Sequence, residues 1–425
     1  MIWWLLIPFL VALFIGIPIS FSLGIGVIIF IFVTGTLPFD VFAQTLYNPT
    51  ESFPLMAIPF FILAGELMNR SGITDRLINF AKFFMGRVRG GLAQVTVVSG
   101  AGFAGLSGSA VAETAALGKT LGPAMEKQGY GKDFIAALIA SVGVMAPVIP
   151  PSVIMILYGA QMNVSIGAMF MAGIVPGLII ACLLMLVAYL MAIKNRYPTS
   201  SVPFSWKGLL DVTVAASLAF VMPIIIVVGI RGGVFTPTEG GAVAAAYAFL
   251  VGGLIYRSLT LNDIFESFVR SGITSAVILL VVAMSAPFGW VMTYFAIPQA
   301  VADALLGLTD NHVIILLLII FILIFVGMFL EGAAIVMLLG PVLAPVAAGM
   351  GMDPVHFAIV MVVAIAIGMA TPPVGVNLFV MVPIMGTTME KASKAVLPFI
   401  LSLFVALLII AFFPEIVLWL PQLFR

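Results

Sequence analysis

Charged side chains are scarce in this chain of 425 residues, because Asp, Glu, Lys and Arg together make up only 8% of it. Hydrophobic residues account for 63%, and the mean hydropathy is +1.29. No water-soluble domain can hide so much apolar surface, so the composition excludes a soluble protein. Because a helix of roughly 20 apolar residues spans a bilayer, we expect a polytopic membrane protein with about ten to twelve spans and some shorter re-entrant pieces.

Cysteine and histidine are also nearly absent. The single cysteine, Cys182, excludes an intramolecular disulfide, and neither His312 nor His356 has a companion at metal-ligand spacing. The chain has no His-Glu-x-x-His motif and no clustered catalytic set of the kind that an intramembrane protease or a lipid-modifying transferase needs. We therefore expect neither an enzyme nor a cofactor-binding protein. The equal numbers of basic and acidic residues, 17 each, give no indication of a nucleic-acid partner.

Two parts of the chain repeat each other. They share three anchors in the same order, at spacings of 224, 218 and 222 residues, so chance is a poor explanation. These anchors are Gly65–Met68 with Gly289–Met292, Glu113–Pro123 with Glu331–Pro341, and Pro150-Pro151 with Pro372-Pro373.

Basic residues flank the two copies in opposite loops. In the first copy Lys127 and Lys132 follow the Leu-Gly-Pro anchor, whereas the matching loop of the second copy, 343–355, has no Lys or Arg. Beyond the proline pairs the pattern reverses, because loop 161–165 is uncharged and its counterpart carries Lys391. Since basic loops stay in the cytoplasm, the copies are predicted to cross the membrane in opposite directions. Inverted repeats of this kind are typical of alternating-access transporters.

These patterns divide the chain into five sections. We predict N-terminal scaffold spans at 1–52, a first inverted repeat at 53–190, a cytoplasmic linker with two spans and an amphipathic segment at 191–270, a second inverted repeat at 271–412, and a C-terminal tail at 413–425.

Each repeat is predicted to contain a re-entrant helical hairpin followed by a broken helix. In the first repeat, short apolar arms on either side of Gly105–Ser109 indicate a hairpin at about 93–122, and the proline pair indicates a broken helix at about 134–158. Proline removes an amide donor and clashes with the preceding turn, so paired prolines unwind a helix locally. The second repeat predicts a hairpin at about 313–345 and a broken helix at about 356–382.

The breaks mark the predicted ion and substrate sites. Unpaired backbone at membrane depth is tolerated only where protein or a water-filled cavity surrounds it. Unwound carbonyls and hydroxyls are suitable ligands for Na⁺, while helix N-termini favour a carboxylate. We predict two Na⁺ sites, formed by Ser107, Gly108, Ser109, Pro147, Pro150 and Ser152 and by Gly327, Glu331, Gly332, Gly368, Thr371 and Gly375. Substrate contacts are predicted at Ser109, Pro151, Pro373 and Asn377.

Each of these features also has a plainer structural interpretation. Proline kinks occur in many membrane helices, and Gly105–Ser109 could serve close helix packing. Glu113 and Glu331 lie in the first turn of an arm helix, where a carboxylate complements the helix dipole without any ion. Glu239 fits a capping box, and Glu66 is expected to face water at the edge of a span.

Several motifs in order resemble the large membrane subunit, the M or DctM-like subunit, of tripartite ATP-independent periplasmic (TRAP) transporters. The resemblance covers essentially the whole chain. The motifs are Pro59–Ile73, Arg87–Leu92, Phe103–Ala110, Pro147–Ser152, Phe235–Glu239 and Thr371–Gly375.

The resemblance implies an all-α polytopic membrane protein of the ion transporter superfamily type, with inverted repeats, two hairpins, two broken helices and an elevator mechanism. It also implies coupling to Na⁺, a location in the bacterial inner membrane, and uptake of a carboxylate such as a C4-dicarboxylate or a sialic acid. The expected partners are a small four-helix membrane subunit (Q type) and a periplasmic binding protein (P type). Since Met1 lies almost at the first span, the small subunit is expected to be separate.

One departure from the family pattern and two alternative functions remain open at this point. Many relatives carry Asp where this chain has Glu113, which weakens a direct role for that carboxylate in ion binding. A self-sufficient Na⁺/dicarboxylate symporter of the same superfamily would share the paired hairpins but need no binding protein. A purely structural subunit would leave the broken helices in both repeats without a purpose.

Overall fold

The computed structural model describes residues 2–199 and 205–423, which form helices joined by short turns and contain no β-strand. Residues 200–204 of the predicted linker, residue 1 and the last two residues of the predicted tail lie outside the described residues. Six helices of the described part are long and apolar enough to cross a membrane, and several more are apolar but shorter. This number is below the expected ten to twelve, because broken helices divide several crossings into shorter pieces. The all-α polytopic fold class is confirmed.

The chain begins with two apolar helices and a short amphipathic one. The first two pack closely, since a Cβ on Gly26 would lie only 2.9 Å from the carbonyl oxygen of Leu5. The three helices are α1 (Trp3–Phe14), α2 (Ile19–Thr34) and α3 (Phe39–Tyr47).

The next seven helices make up the first repeat: α4 (Ala57–Arg70), α5 (Ile73–Met85), α6 (Gly91–Ser107), α7 (Ala110–Lys127), α8 (Lys132–Val142), α9 (Val153–Met162) and α10 (Ile166–Lys194). Glycines with positive φ separate several of them, at Gly72, Gly90 and Gly108. Helices α6 and α7 form the first helical hairpin, and α8 and α9 are the two halves of the first broken helix.

Two helices connect the repeats: α11 (Trp206–Arg231) and α12 (Pro237–Leu250), which continues as a π-helical segment, Val251–Ile255. The predicted capping box at the start of α12 is confirmed. The Thr236 hydroxyl accepts from the Glu239 amide at 3.3 Å, and the Glu239 carboxylate accepts from the Thr236 amide at 2.8 Å.

The second repeat has the same order of elements: α13 (Leu261–Tyr294), α14 (Ile297–Leu306), α15 (His312–Gly327), α16 (Gly332–Gly349), α17 (Pro354–Gly368), α18 (Val376–Met385) and α19 (Met389–Phe412), followed by α20 (Pro414–Leu423). Helices α15 and α16 form the second hairpin. Helices α17 and α18 are the halves of the second broken helix.

The two repeats pack through reciprocal contacts. The second hairpin arm of each repeat lies against the second half-helix of the other, α7 on α18 and α16 on α9. The first half-helix of each lies against the long last helix of the other, α8 on α19 and α17 on α10. Each contact therefore has an equivalent in which the two repeats have exchanged roles. Such an exchange indicates an approximate two-fold axis between the repeats, as inverted repeats require.

The first hairpin is longer than its apolar pattern indicates. Helix α7 continues through Gly118, Gly122 and Pro123 and ends at Lys127. A Cβ on Gly118 would lie 2.6 Å from the sulfur of Met381, and one on Gly122 would lie 2.7 Å from the sulfur of Met385. The glycines therefore let α18 approach α7, and they do not end the helix.

The packing of the second hairpin on the second broken helix yields a stability prediction. A Cβ on Gly368 would lie 2.6 Å from the Ile324 carbonyl oxygen and 2.7 Å from the Gly327 Cα, which are both backbone atoms. We expect Gly368→Ala to force the two helices apart and destabilise the protein by about 1–3 kcal/mol, measured as a lower midpoint of thermal unfolding in detergent.

Gly272→Ala is the matched control, because Gly272 is helical and has no atom within 4 Å of its Cβ position. This control should be neutral or stabilising by up to about 1 kcal/mol. Equal midpoints for the two variants would contradict the close contact.

The inverted repeats predict opposite accessibility for equivalent positions. Gln128 follows α7 and Ala348 lies in the last turn of α16, and both are exposed. In a Cys182→Ala background, we expect Gln128→Cys to react with an impermeant thiol reagent from the cytoplasm and Ala348→Cys to react from the periplasm. Labelling of both from one side would refute the inverted arrangement.

Candidate functional site

The tip of the first hairpin rests directly on the first helix break. The chain turns at Gly108 with φ of +60°, and a Cβ there would lie 2.8 Å from the Pro151 carbonyl oxygen. Ser109 caps α7, where its hydroxyl accepts from the Ala112 amide at 3.4 Å. The break ends at Ser152, whose hydroxyl donates to the Pro147 carbonyl at 2.7 Å. Hydroxyls and carbonyls of the hairpin and the break are thus brought together.

The second hairpin tip meets the second break in a similar way. Gly327 and Gly368 face each other, since a Cβ on either would lie within 3.0 Å of the Cα of the other. The Gly375 amide donates to the Met328 carbonyl at 3.1 Å and so ties the end of the break to the hairpin. The Thr371 hydroxyl donates to the Ile367 carbonyl at 2.7 Å, which leaves its oxygen lone pairs available to a ligand.

Both hairpin tips border one cavity of about 110 Å³, which lies between the two hairpins and helices α4 and α13. Its polar lining comes from the first hairpin tip, from the start of α16, and from α4 and α13. These residues are Ser107, Ser109, Glu331, Glu66, Asn69 and Thr274. Apolar side chains such as Ile154 after the first break and Met369 at the second complete the wall.

The predicted site residues divide into three groups by their position. Ser107, Gly108, Ser109, Glu331 and Gly332 line the cavity. A second group lies in the breaks and hairpin junctions and is not among the residues that line the cavity: Pro147, Pro150, Pro151, Ser152, Gly327, Gly368, Thr371, Pro373 and Gly375. Their roles in binding stay predictions.

Asn377 forms the third group by itself. Its side chain is fully buried between α18 and α8, and its amide nitrogen donates to the Ala140 carbonyl at 3.2 Å. It is not among the residues that line the cavity. In this structure, then, Asn377 ties the second broken helix to the first.

The cavity combines two kinds of electrostatic feature. Helices α7 and α16 both begin at its wall, and the unpaired amides of a helix N-terminus favour anions. Glu331 is exposed toward the cavity and Glu66 is half-buried beside it, whereas no Lys or Arg is among its lining residues. The arrangement can therefore hold a cation on carboxylate, hydroxyl and carbonyl oxygens next to an anion at the helix termini.

Glu113 has a different environment from Glu331. It is fully buried, it does not line the cavity, and neither carboxylate oxygen has a hydrogen-bond partner among the described residues. Its Oε1 lies 3.1 Å from the position that a Gly100 Cβ would occupy. Within residues 2–199 and 205–423, no cluster of three or more His, Cys, Asp or Glu could hold a metal ion.

The sequence interpretation missed the side of the cavity that α4 and α13 form. Glu66 was expected to face water at the edge of a span, yet it lines the cavity together with Asn69 of α4 and Thr274 of α13. A signal was present, since an acidic residue inside an apolar membrane helix is a functional candidate by default. The sequence positions of Glu66, Asn69 and Thr274 could not show that α4 and α13 pack beside the hairpins.

An ion pair network holds helices α4 and α13 together near the cavity. The Arg70 guanidinium lies 2.7 Å from Glu266 and 3.3 Å from Asp263, so it joins the end of α4 to the start of α13. Asn69 is adjacent to this pair, and Thr274 lies two turns beyond Glu266. Asn69, an exposed residue of the cavity lining, is thus on the side where the amphipathic start of α13 is predicted to lie in the cytoplasm.

Comparison with known proteins places this architecture in a family. The family profile described as "Tripartite ATP-independent periplasmic transporter, DctM component" matches residues 6–416. The sialic acid TRAP transporter large permease SiaM of Vibrio cholerae is 38% identical over 415 residues, which cover 97% of this chain and 96% of SiaM. The C4-dicarboxylate TRAP transporter large permease DctM of Rhodobacter capsulatus is 36% identical, with 96% of each chain covered.

A further relative is longer than this chain. The isethionate TRAP transporter permease DctMQ of Oleidesulfovibrio alaskensis is 40% identical over 408 residues, which cover 96% of this chain and 64% of that protein. Among solved structures, the YdaH transporter of Alcanivorax borkumensis superposes with a TM-score of 0.60 and 15% identity, covering 90% of this chain and 88% of YdaH. At that identity the likeness shows the fold alone. The profile and the full-length relatives establish that this chain belongs to the DctM family of large TRAP transporter permeases.

Proposed function

We propose that this chain is the permease of a Na⁺-coupled TRAP transporter that imports a carboxylate delivered by a periplasmic binding protein. One observation carries the proposal: the tips of two helical hairpins from inverted repeats border a single cavity, and each tip packs on a proline-broken helix. Inverted-repeat transporters bind substrate and coupling ions at such discontinuous helices.

Sodium is the proposed coupling ion, with one site at each pairing of hairpin and break. Na⁺ is a hard cation, and oxygen atoms are its suitable ligands. At the first pairing, the hydroxyls of Ser107 and Ser109 adjoin the break that contains the Pro147 carbonyl and Ser152. At the second, Thr371 and the Gly327–Gly368 contact occupy the corresponding position.

The proposed substrate is a small organic acid whose carboxylate lies at the N-termini of α7 and α16. Relatives are named for sialic acid, C4-dicarboxylates and isethionate, which are all anions. Glu66 and Glu331 place two carboxyl groups in the same cavity, and in their ionised form they would repel a substrate carboxylate that binds without a cation. This repulsion gives a physical reason for coupling, since bound Na⁺ makes the cavity electrostatically suitable for an anion.

We also propose an elevator movement, in which the hairpins and broken helices slide as a unit against a scaffold that includes α4 and α13. Within the mobile unit, glycine contacts bring backbone against backbone at Gly108 and at Gly327–Gly368. Close packing of this kind favours rigid-body movement over internal deformation. The cavity rim near Asn69 and Arg70 is consistent with an inward-facing state.

The partners implied by family membership complete the proposal. A small membrane subunit of the Q type would pack on the scaffold, and a P-type binding protein would deliver substrate at the periplasmic face. The proposed location is the bacterial inner membrane.

Transport in proteoliposomes tests the proposed function. The permease is reconstituted with its small subunit, and uptake of labelled sialic acid and labelled C4-dicarboxylates is measured with and without the binding protein and an inward Na⁺ gradient. We expect uptake of one class of carboxylate that needs both the binding protein and Na⁺. Na⁺-driven uptake without any binding protein would instead establish a self-sufficient symporter, and uptake indifferent to Na⁺ would contradict the coupling.

Single hydroxyl deletions test the two Na⁺ sites. Ser107→Ala or Thr371→Ala removes one proposed ligand, so each should raise the Na⁺ concentration for half-maximal uptake about 3- to 10-fold, with normal yield of folded protein. Thr120→Ala is the matched control for Thr371→Ala. The Thr120 hydroxyl makes the same hydrogen bond to the carbonyl four residues earlier, at 2.9 Å, but lies on the exposed side of α7. Unchanged Na⁺ dependence in both site variants would contradict the assignment.

A further inference from the structure

An apolar groove of about 500 Å³ opens at the outer surface, separate from the cavity between the hairpins. Three helices form its walls, and the first helix break forms its floor. The residues concerned are Met171 and Ile174 of α10, Pro223, Ile224, Val227 and Val228 of α11, Leu420 of α20, and Ile149 and Pro150 of the break. Ile224 and Val228 are 59% and 64% exposed, so the groove opens towards the bilayer.

The groove has a definite depth in the membrane. It extends along α11 from Pro223 to Arg231, which is roughly 12 Å at the helical rise of 1.5 Å per residue. Helix α11 follows the basic linker that contains Lys194, which is predicted to be cytoplasmic, so its Arg231 end lies at the periplasmic interface. The groove therefore extends from the interface towards the middle of the bilayer.

The groove is about 12 Å long at the helical rise and narrow enough to have a floor and walls from three helices, with a volume of about 500 Å³. A flexible hydrocarbon chain fits the same space.

Arg231 provides charge complementarity at the interfacial end of the groove. Arginine is always protonated, and its planar guanidinium matches the geometry of a phosphate group. An arginine at the end of a membrane helix extends to the level of the lipid headgroups. The groove thus has a cation where a phosphate lies in a bilayer and apolar side chains where the acyl chain lies.

The floor of the groove is suited to hydrocarbon although it belongs to a broken helix. Proline has no amide hydrogen, so Pro150 presents no donor to the groove. Its carbonyl oxygen lies 3.4 Å from the Cβ position of Gly105 and thus faces the first hairpin. The break thus contributes two apolar residues, Ile149 and Pro150, to the lining of the groove.

We propose that this groove binds one phospholipid of the periplasmic leaflet, with its phosphate on Arg231 and one acyl chain along α11 and the first break. The chain fills the space between α11 and the Ile149–Pro150 floor. Bound lipid therefore stabilises the first broken helix in its present position against α11. The site is independent of the transported substrate.

Lipid titration observed by native mass spectrometry tests this site. The purified, delipidated transporter complex is titrated with phosphatidylglycerol and with the diacylglycerol of the same chains. We expect the wild-type protein to bind one phosphatidylglycerol about tenfold more tightly than diacylglycerol. Val227→Trp fills the groove and should weaken the binding of both lipids at least tenfold, whereas Val214→Trp, on the exposed surface of the same helix, should change neither.

A second pair of variants tests the phosphate contact without altering the groove's volume. Arg231→Gln should remove the preference, so that phosphatidylglycerol and diacylglycerol bind with about equal affinity. Lys207→Gln, at the opposite end of α11, should retain the preference for phosphatidylglycerol. Three results would overturn the proposal: equal binding by the two tryptophan variants, a full preference retained by Arg231→Gln, or crosslinking of a photoreactive residue at Ile224 to a helix of the small subunit in place of lipid.

Discussion

The enclosure of unwound backbone at membrane depth is the constraint on which the rest of this structure depends. Two helices are broken by proline pairs, and the freed carbonyls would be costly in hydrocarbon. Each break is covered by a hairpin tip that carries a glycine at the contact, Gly108 on the first and Gly327 on the second. Larger residues would separate tip and break and expose the polar backbone. The glycines therefore make a polar site possible in the middle of an apolar protein.

This constraint also joins structure to mechanism. In the proposed elevator movement each break would travel with the hairpin that covers it, and the reciprocal packing of α7 on α18 and α16 on α9 would link both pairs into one body. The scaffold touches this body at Gly65, where a Cβ would lie 3.1 Å from the Leu106 carbonyl oxygen. The lipid proposed at the first break would add a second, hydrocarbon contact on the outer side.

Much of the architecture was predictable from the sequence, because inverted repeats place the same residue types at nearly constant spacing. From the order of hairpin and proline pair in each copy, Ser107–Ser109 and Glu331–Gly332 were predicted as site residues, and they line one cavity. What escaped prediction depends on contacts between distant segments. Glu66 and Asn69 reach the cavity only because α4 packs beside the hairpin. The hydrogen bond from Asn377 to Ala140 joins half-helices of different repeats, and the predicted substrate contact of Asn377 stays a prediction. Local pattern cannot distinguish such partners.

The accessibility of Ala112, an exposed residue of the cavity lining, tests the central claim most directly. In a Cys182→Ala background, Ala112→Cys is exposed to an impermeant thiol reagent from either side of the membrane, with and without Na⁺, carboxylate and binding protein. A cavity that alternates between the two sides predicts labelling from the cytoplasm at rest, labelling from the periplasm under transport conditions, and protection by Na⁺ with substrate. Labelling from a single side under every condition, with no protection, would contradict an alternating site between the hairpins.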